Sequence, residues 1–390
     1  MKKKIMTFVL SSFILVALLC GCQENQEHKN NVESTVTPMP LTPTEVPRVV
    51  IKDVSSIDLV ADMNIGWNLG NTLDAIGGIG MMSETSWGNP KTRQEMIDKV
   101  LDAGFNVIRI PVTWEGHFGA APEYKIHEIW LARVKEVVDY AYNKGAYVIL
   151  NTHHEEWYMP TKENKEANAK QLAALWTQIA NYFENYDEHL IFEGLNEPRL
   201  RGTPKEWSAD ETASQVINYW EQVFVDTVRA TGGNNELRHL MITGYAASSS
   251  KKNLEAIVLP EDDKLIVSVH AYTPYDFALN TEGTSVWDVD KDKYDIDYLM
   301  ETINALFISK GIPVIIGEFG AMNKENEEER MEWVTYYLTK AREIGVPCVW
   351  WDNNAFVGNG ENFGLLDRRK LEYPYPKLLE AMMKVVYPEE

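Results

Sequence analysis

The sequence contains little cysteine. Only three of its 390 residues are cysteine, and only Cys348 lies outside the first 22 residues. A framework of disulfide bonds is therefore excluded, so the fold must rest on its hydrophobic core. Cys348 lies in the apolar run 346–349, which is typical of a small buried side chain rather than a nucleophile.

Positive charge is also scarce. The chain has 37 Lys and Arg residues against 58 Asp and Glu residues, which gives a formal net charge of −21. Such a balance argues against nucleic acid or an anionic membrane surface as a partner. It is compatible with a neutral polymer substrate, although the plainer interpretation is that the acids keep an exported protein soluble.

The N-terminus has the features of an export signal. Three lysines (residues 2–4) precede the apolar stretch 5–19, which is short for a membrane span. The segment Leu19-Cys20-Gly21-Cys22 resembles the lipobox of bacterial lipoproteins, which implies cleavage before Cys22 and acylation of that residue. We therefore predict a signal peptide over 1–21 and an exported bacterial protein that contacts the membrane only through a lipid on Cys22. The alternative is an ordinary secretory signal and a secreted protein.

Residues 22–50 are predicted to be a flexible linker. They are rich in Thr, Pro and Asn, with four closely spaced prolines at positions 38, 40, 43 and 47. Such a stretch cannot bury a core. The predicted folded domain covers residues 51–390, and we expect a monomer.

Strand-like and helix-like segments alternate along this domain. The predicted strands are 63–67, 107–110, 147–150, 190–192, 239–242, 265–269, 314–316 and 348–350. These runs are short and apolar, as expected of parallel strands covered on both faces. The predicted helices are 91–103, 129–144, 169–186, 212–230, 296–310 and 328–344, and glycine follows several of them. The pattern predicts an α/β fold, a single-domain (β/α)₈ (TIM) barrel, with a doubly wound open sheet as the alternative.

Polar residues lie at the ends of the predicted strands, where barrels carry their chemistry. In chain order they are Asn68, Asn71, Asp74, Arg109, His153, His154, Asn196, Glu197, His270, Tyr272, Glu318, Trp351, Asp352 and Asn353. Glu197 and Glu318 each lie just past a strand-like run. Two carboxylates presented by parallel strands are the minimum equipment for cleaving a glycosidic bond.

Tryptophan is abundant, with twelve residues. Pyranose rings stack their apolar faces on aromatic rings, so tryptophans at strand ends or in the following loops are candidates for sugar contact. These are Trp67, Trp87, Trp114, Trp157, Trp207 and Trp287. Four others, Trp130, Trp176, Trp220 and Trp333, fall in predicted helices and are expected to pack in the core.

Several motifs in order resemble glycoside hydrolase family 5. They are Gly66-Trp67-Asn68-Leu69-Gly70-Asn71, Arg109-Ile110-Pro111-Val112-Thr113-Trp114, Gly194-Leu195-Asn196-Glu197-Pro198 and Ile316-Gly317-Glu318-Phe319-Gly320. Within that family, Thr85-Ser86-Trp87-Gly88-Asn89-Pro90 and Trp351-Asp352-Asn353 resemble the branch of bacterial endo-β-1,4-glucanases that also holds xyloglucanases and lichenases. The resemblance covers roughly residues 55–385.

The resemblance implies a retaining mechanism. Glu318 would be the nucleophile and Glu197 the acid/base, with the carboxyl groups about 5–5.5 Å apart. We expect ionised Glu318 to help Glu197 hold its proton. Arg109 and Tyr272 would bind Glu318, and Asn196 would bind the sugar 2-hydroxyl.

Further residues have roles implied by the resemblance. His153 and His270 would orient groups and bind hydroxyls. Trp351 would be the platform under the sugar, although one residue of register would put Trp350 there instead. The predicted outer substrate contacts are Asn68, Asn71, Trp87, His154, Trp157 and Asn353.

Neither a cofactor nor a metal is predicted. The family resemblance implies no cofactor, and His153-His154-Glu155-Glu156 lacks the His-Glu-x-x-His spacing of a helical zinc site. Adjacent histidines on a strand would also face opposite sides.

Alternatives to an endo-acting β-1,4-glucanase stay open. Xyloglucanase, lichenase and mannanase activities share the mechanism. A non-catalytic surface glycan-binding lipoprotein and a metal-dependent barrel hydrolase are the other classes.

Overall fold

Eight parallel strands close into a barrel in the computed structural model of the protein, which describes residues 49–208 and 210–388. The strands are β1 (Ile65–Leu69), β2 (Val107–Ile110), β3 (Tyr147–Asn151), β4 (Leu190–Glu193), β5 (Leu240–Ser248), β6 (Leu265–His270), β7 (Val314–Phe319) and β8 (Cys348–Asp352). Each strand pairs with the next, and β8 pairs with β1. The predicted barrel is confirmed and the open sheet is wrong. The predicted signal peptide, Cys22 and the linker up to residue 48 lie outside the described residues.

Helices surround the barrel. They are α1 (Ser56–Ala61), α2 (Gln94–Asp102), α3 (Glu128–Tyr142), α4 (Lys165–Tyr182), α5 (Glu211–Ala230), α6 (Lys251–Glu255), α7 (Tyr275–Ala278), α8 (Val289–Leu306), α9 (Glu327–Glu343) and α10 (Pro376–Val386). All six predicted helices are present with shifted boundaries, and the other four were not predicted. None of the helices in the described part of the chain is long and apolar enough to cross a bilayer.

Seven of the eight strands extend further towards their C-terminal ends than predicted, and in two of them this changes the placement of a predicted site residue. Asn68 lies within β1 and pairs with Trp351, while Glu318 lies within β7 and pairs with His270. The expectation that these residues lie just past their strands is therefore wrong. The strands continue through polar residues whose side chains face the barrel axis. A strand end predicted from the last residue of an apolar run therefore comes too early.

The barrel interior is layered. An apolar floor contains one residue from most strands, including Val107, Ile149, Ile191, Ile266 and Ile315. Two residues further along four of these strands, on the same face, the buried residues are Arg109, Asn151, Glu193 and Ser268. The short helix α1 packs Leu59 and Val60 against the floor. The floor thus supports a buried polar layer beneath the C-terminal ends of the strands.

Candidate active site

An open cleft of about 1100 Å³ lies over the C-terminal ends of the strands. Both predicted glutamates line it, with side chains from the loops around them. The lining includes Asn71, Trp87, His153, His154, Asn196, Glu197, Trp207, Lys251, His270, Tyr272, Tyr275, Tyr298, Glu318, Trp351 and Glu361. The barrel therefore gathers most of the predicted site residues into one cleft.

The two glutamates are close together. One carboxylate oxygen of each, and a ring nitrogen of His270, lie within 4.8 Å of one another. Retaining glycosidases hold their carboxyl groups about 5–5.5 Å apart, whereas inverting ones leave about 6.5–9.5 Å for a water molecule. The spacing fits direct attack by one carboxylate and does not fit the inverting geometry.

Glu318 is held at both oxygens. Arg109 Nη1 donates to Oε1 at 2.8 Å, and the Tyr272 hydroxyl donates to Oε2 at 2.9 Å. Burial and the charges of Glu318 and Glu197 raise the pKa of Tyr272 well above its usual value, so this hydroxyl stays a donor. The side chain is therefore fixed in one orientation, as a nucleophile requires.

Arg109 joins the floor of the site to both catalytic strands. It is completely buried and also donates to Glu193, Asn68 and Asn196, at 2.8, 2.9 and 2.7 Å. Burial would lower the pKa of Arg109, but the charges of Glu193 and Glu318 outweigh it and raise the pKa. Because Asn196 accepts through Oδ1, its amide nitrogen is left for a sugar hydroxyl in the cleft.

The proton at the acid/base site is shared with His270. His270 Nδ1 lies 2.8 Å from Glu197 Oε1 and 3.6 Å from Glu318 Oε2. Burial raises the pKa of Glu197, but the hydrogen bond and charge of His270, with the charge of Arg199, bring it below its ordinary value. Burial lowers the pKa of His270, but the charges of Glu318 and Glu197 outweigh it and raise the pKa. The two opposite shifts favour a proton shared between Glu197 and His270, and the expectation that Glu197 holds a proton stays a prediction.

Both adjacent histidines line the cleft. The expectation that they face opposite sides is wrong, because β3 ends at Asn151 and both histidines lie in the loop after it. Burial and nearby positive groups lower the pKa of His153 well below its usual value, and burial lowers that of His154 to about 4. Both are therefore neutral near pH 7 and can exchange hydrogen bonds with hydroxyls.

The two tryptophans of β8 have different environments. Trp351 lines the cleft with its ring parallel to that of His153, at 5.8 Å between centroids. Trp350 is completely buried and its Nε1 donates to the carbonyl of Phe363. Gly70 permits the position of Trp351, because a Cβ at residue 70 would lie 2.9 Å from the Trp351 ring. The structure thus puts Trp351, and not Trp350, in the position of a sugar platform.

Comparisons with known proteins agree with this geometry. The family model for cellulase, glycosyl hydrolase family 5, matches residues 74–357. The chain belongs to glycoside hydrolase family 5. It is 54% identical to endoglucanase B of Ruminococcus albus over 355 residues, which is 90% of this chain and 85% of the relative.

Solved structures of family 5 enzymes superimpose on the barrel. A GH5-4 broad specificity endoglucanase from Ruminococcus champanellensis with bound cellotriose is 51% identical with a TM-score of 0.84, and the match covers 86% of this chain and 100% of that one. A xyloglucan-specific endo-β-1,4-glucanase from a metagenomic library, in complex with cellotriose, is 48% identical with a TM-score of 0.82. That match covers 84% of this chain and 98% of the other. The protein is therefore a glycoside hydrolase of the cellulase type.

Three predicted substrate contacts in this family 5 enzyme are wrong. Asn68 is completely buried and its amide donates to backbone carbonyls of β7 and β8. Trp157 is not among the residues that line the cleft, and its Nε1 donates to the buried carboxylate of Glu155 at 2.9 Å. The buried side chain of Asn353 holds the loop after β8 through the backbone of Glu361 and Phe363. In each case a polar group serves the scaffold instead of the substrate.

The predicted contacts Asn71, Trp87 and His154 do line the cleft. Of the six tryptophans proposed for sugar contact, only Trp87 and Trp207 are among the lining residues. Trp67, Trp114 and Trp287 are buried, as are the four helical tryptophans assigned to packing.

Glu193, Arg199 and Glu361 have roles that the sequence analysis of this hydrolase missed. Glu193 accepts from Arg109, from Asn151 and from Ser268 beneath the site. The sequence did contain a pattern that could have identified Glu193. It lies two residues after the apolar Ile191, and alternate residues of a strand share a face, so both face the barrel interior. Arg199 and Glu361 belong to loops, where no periodicity marks the direction of a side chain.

A second group of potential metal ligands lies in the cleft wall. Asp74, His153 and His154 offer atoms within 4.8 Å of one another. However, both oxygens of Asp74 already accept backbone N–H groups, from Asn71 at 2.9 Å and from Thr72 at 2.6 Å. Asp74 thus shapes the turn that presents Asn71, whose φ is 58°.

Proposed function

We propose that the protein is a retaining endo-β-1,4-glucanase that hydrolyses internal bonds of cellulose and related β-glucans. The observation that carries this proposal is the close Glu197–Glu318 pair in an open cleft that is also lined by Trp87, Trp207 and Trp351. A neutral polymer can lie across such a cleft without threading an end into it. The endoglucanase names of the relatives support the same activity.

The first step forms a glycosyl-enzyme. A Glu318 oxygen attacks the anomeric carbon while the bond to the leaving oxygen breaks. Glu197 gives its proton to that oxygen, and the proton is supplied across the 2.8 Å hydrogen bond from His270. The amide nitrogen of Asn196 binds the hydroxyl beside the anomeric carbon, and Trp351 supports the sugar ring.

The second step releases the sugar. Glu197, now a carboxylate, takes a proton from a water molecule, whose oxygen attacks the anomeric carbon and breaks the ester to Glu318. The proton that Glu197 takes from the water molecule can pass back to His270 across the same 2.8 Å hydrogen bond, which restores the starting state of the site. Two displacements at one carbon preserve the configuration of the product.

Xyloglucan and mixed-linkage glucan are second candidate substrates. The cleft is open to solvent, and one solved relative is xyloglucan-specific. A mannanase has no such support. A pure glycan-binding protein would not need a nucleophile fixed at both oxygens.

The test is reducing-sugar release from barley β-glucan, carboxymethyl-cellulose, xyloglucan and mannan. The protein without residues 1–22 is compared with its Glu318→Ala variant. We expect release from the β-glucans and a loss of at least about 10⁴-fold in the variant. Mannan as the best substrate would contradict the proposed specificity, and binding without release would contradict the proposed reaction. Sensitivity to a chelator would instead favour a metal-dependent hydrolase.

We also propose that the enzyme is an exported lipoprotein with a lipid on Cys22. The lysines at residues 2–4, the apolar stretch 5–19 and the lipobox-like segment support this proposal. The anchor would hold the cleft close to polymer at the cell surface.

A further inference from the structure

The loop after β4 connects the acid/base to an exposed tryptophan through one arginine. Arg199 Nη1 lies 3.3 Å from Glu197 Oε2 and donates to the Glu197 carbonyl at 3.1 Å. The same guanidinium lies over the ring of Trp207, at 4.3 Å from its carbon to the ring centroid. A single side chain therefore contacts both the catalytic carboxylate and an aromatic ring of the cleft.

Trp207 has the exposure of a ligand platform. It is 69% exposed, although it lines the cleft within reach of Tyr275 and Tyr298, which are also exposed. Large aromatic side chains left uncovered beside a polar cleft are typical of surfaces that bind a partner. A pyranose ring can stack on such an indole, and Arg199 already stacks on it.

The loop is held independently of substrate. Glu206 accepts from Arg199 Nε at 3.2 Å and from the backbone of Gly202 at 2.9 Å. The Tyr245 hydroxyl, on β5, accepts from the backbone of Leu200 and donates to the carbonyl of Lys205. These bonds fix the distance between Arg199 and Trp207, so a change at one is transmitted to the other.

We propose that Arg199 is a positioning residue that couples sugar stacking on Trp207, on the leaving-group side of the cleft, to the orientation and charge of Glu197. The inference rests on the proposed function, because a leaving-group side exists only if Glu197 is the acid. Trp207 lies on that side because it shares the loop and the guanidinium with Glu197. Trp87 lies in the segment after β1 and Trp351 lies in β8, and neither strand neighbours β4 in the barrel.

The chemistry explains why the arginine matters. As Glu197 gives its proton to the leaving oxygen, negative charge develops on the carboxylate, and the contact with the guanidinium strengthens. A sugar stacked on Trp207 holds the ring, and thereby holds Arg199 against Glu197. Long substrates would then be cleaved faster as well as bound more tightly, because part of their binding energy is used in the transition state.

Other charged or titratable groups also face Glu197. They are His154 after β3, Arg201 on the same loop, His270 on β6, the hydroxyl of Tyr272 after β6, Glu318 on β7 and Glu361 after β8. His270 and Arg109 also contact Glu318, so their removal would disturb the nucleophile. Arg199 contacts Glu197 without contacting Glu318, and its replacement therefore isolates the acid/base.

The experiment compares Arg199→Gln, Arg199→Lys, Trp207→Ala and the Arg199→Gln/Trp207→Ala double variant, with Arg342→Gln on the exposed face of α9 as the charge-matched control. Two substrates are used, cellohexaose and 2,4-dinitrophenyl β-cellobioside. The aryl substrate has a leaving group that needs no proton. For Arg199→Gln we expect kcat/KM to fall about 10- to 100-fold on cellohexaose and less than about threefold on the aryl substrate.

The pH profile separates positioning from a merely structural role. Removing a cation beside Glu197 makes the hydrogen-bonded Glu197–His270 pair keep its shared proton to a higher pH, so the alkaline limb of kcat/KM on cellohexaose should move up by about 0.5–1 pH unit in Arg199→Gln and stay in place in Arg199→Lys. The double variant should lose little more than the worse single variant, since the two residues act together. If thermal unfolding shows that Arg199→Gln is unstable, Arg199→Lys replaces it in the double-mutant cycle with Trp207→Ala.

Three results would overturn the inference. They are an unmoved alkaline limb in Arg199→Gln, equal losses on both substrates, or independent effects of Arg199 and Trp207. Wild-type enzyme that hydrolyses neither substrate would instead refute the proposed function, so the two failures are distinguishable.

Discussion

Arg109 uses its planar, forked side chain in a way that a lysine could not copy. Its three nitrogens reach Glu193, Glu318, Asn68 and Asn196 from one buried position. A lysine at this position would offer one charged nitrogen at a single point. Since Glu193 is completely buried, the loss of its partner would leave a charge without adequate compensation.

Arg109→Lys is therefore expected to lose both activity and stability. We expect kcat to fall about 100-fold or more, because Glu318 loses its fixed orientation. The free energy of unfolding should fall by about 3 kcal/mol, as for a buried ion pair with one partner impaired. Urea unfolding and steady-state kinetics measure the two effects, with Arg342→Lys as control. Activity within about twofold of wild type would show that the fork is dispensable.

Glu361 adds a third carboxylate to the cleft. It lies in the loop after β8, and its backbone carbonyl accepts from Asn353. Glu361 as a whole is exposed, but desolvation of its carboxyl group by the surrounding protein and the charges of Glu318 and Glu197 raise its pKa. When ionised, it makes the cleft more negative beside the nucleophile, which disfavours an anionic substrate.

Glu361→Gln should therefore improve the hydrolysis of carboxymethyl-cellulose relative to barley β-glucan. We expect the ratio of kcat/KM values to rise about two- to fivefold, and the gain to shrink in high salt. It should also shrink as the pH falls, because protonated Glu361 is neutral in the wild type too. Glu332→Gln, on the exposed face of α9, is the control for net charge. An unchanged ratio at low salt would show that Glu361 does not influence substrate charge.

At the scale of elements, the contact between α5 and β5 buries a carboxyl group. Glu221 Oε1 accepts from the backbone of Thr243 at 2.9 Å, while Oε2 has no hydrogen-bond partner among the described residues. A Cβ at Gly194 would lie 2.7 Å from this oxygen, so only glycine lets β4 exit past α5 here. Burial raises the pKa of Glu221 well above its usual value, and the folded protein holds it neutral.

Glu221 should make the protein less stable as the pH rises. The unfolded chain loses this proton above pH about 4.3, whereas the folded protein keeps it to a higher pH. The free energy of unfolding then falls with pH by up to about 1.4 kcal/mol per unit. Glu221→Gln, which mimics the neutral acid, should flatten this dependence between pH 5 and 8. Urea unfolding at both pH values tests this, and an equal slope in the variant would contradict it.

At the scale of the whole molecule, the net negative charge disfavours contact with an anionic membrane, whereas the lipobox-like N-terminus predicts attachment to one. A net charge of −21 repels an anionic membrane surface. A lipid on Cys22, followed by a linker, would place the catalytic domain near that surface without contact between the two.

Cys22→Ala is expected to release the enzyme from the membrane fraction of a bacterial host, while Cys20→Ala should leave it there. The reason is that only the cysteine after the cleavage point can carry the acyl chains that hold the protein in a bilayer. Fractionation with an activity assay and the mass of the N-terminal peptide measure the outcome. Equal release by both variants would mean that Cys22 carries no anchor.

The sequence by itself determined the barrel and its catalytic pair. Parallel strands covered on both faces must be short and apolar, so eight such runs separated by amphipathic helices predicted the closed sheet. The carboxyl ends of these strands meet at one face, so polar residues there, such as Glu197 and Glu318, were expected to come together. Both inferences depend on spacing along the chain, which the sequence records.

Only the tertiary structure decided which polar residues face the substrate and which group can share the proton of Glu197. Asn68 donates to a backbone carbonyl of β7, far away in sequence, whereas Trp157 and Asn353 donate to groups of their own loops, which only the folded loop conformations bring into reach. His270 can share the proton of Glu197 because β6 sets its ring between two carboxylates. Hydrogen bonding and charge depend on distances of a few ångströms across different strands and loops, and no local pattern along the chain encodes them.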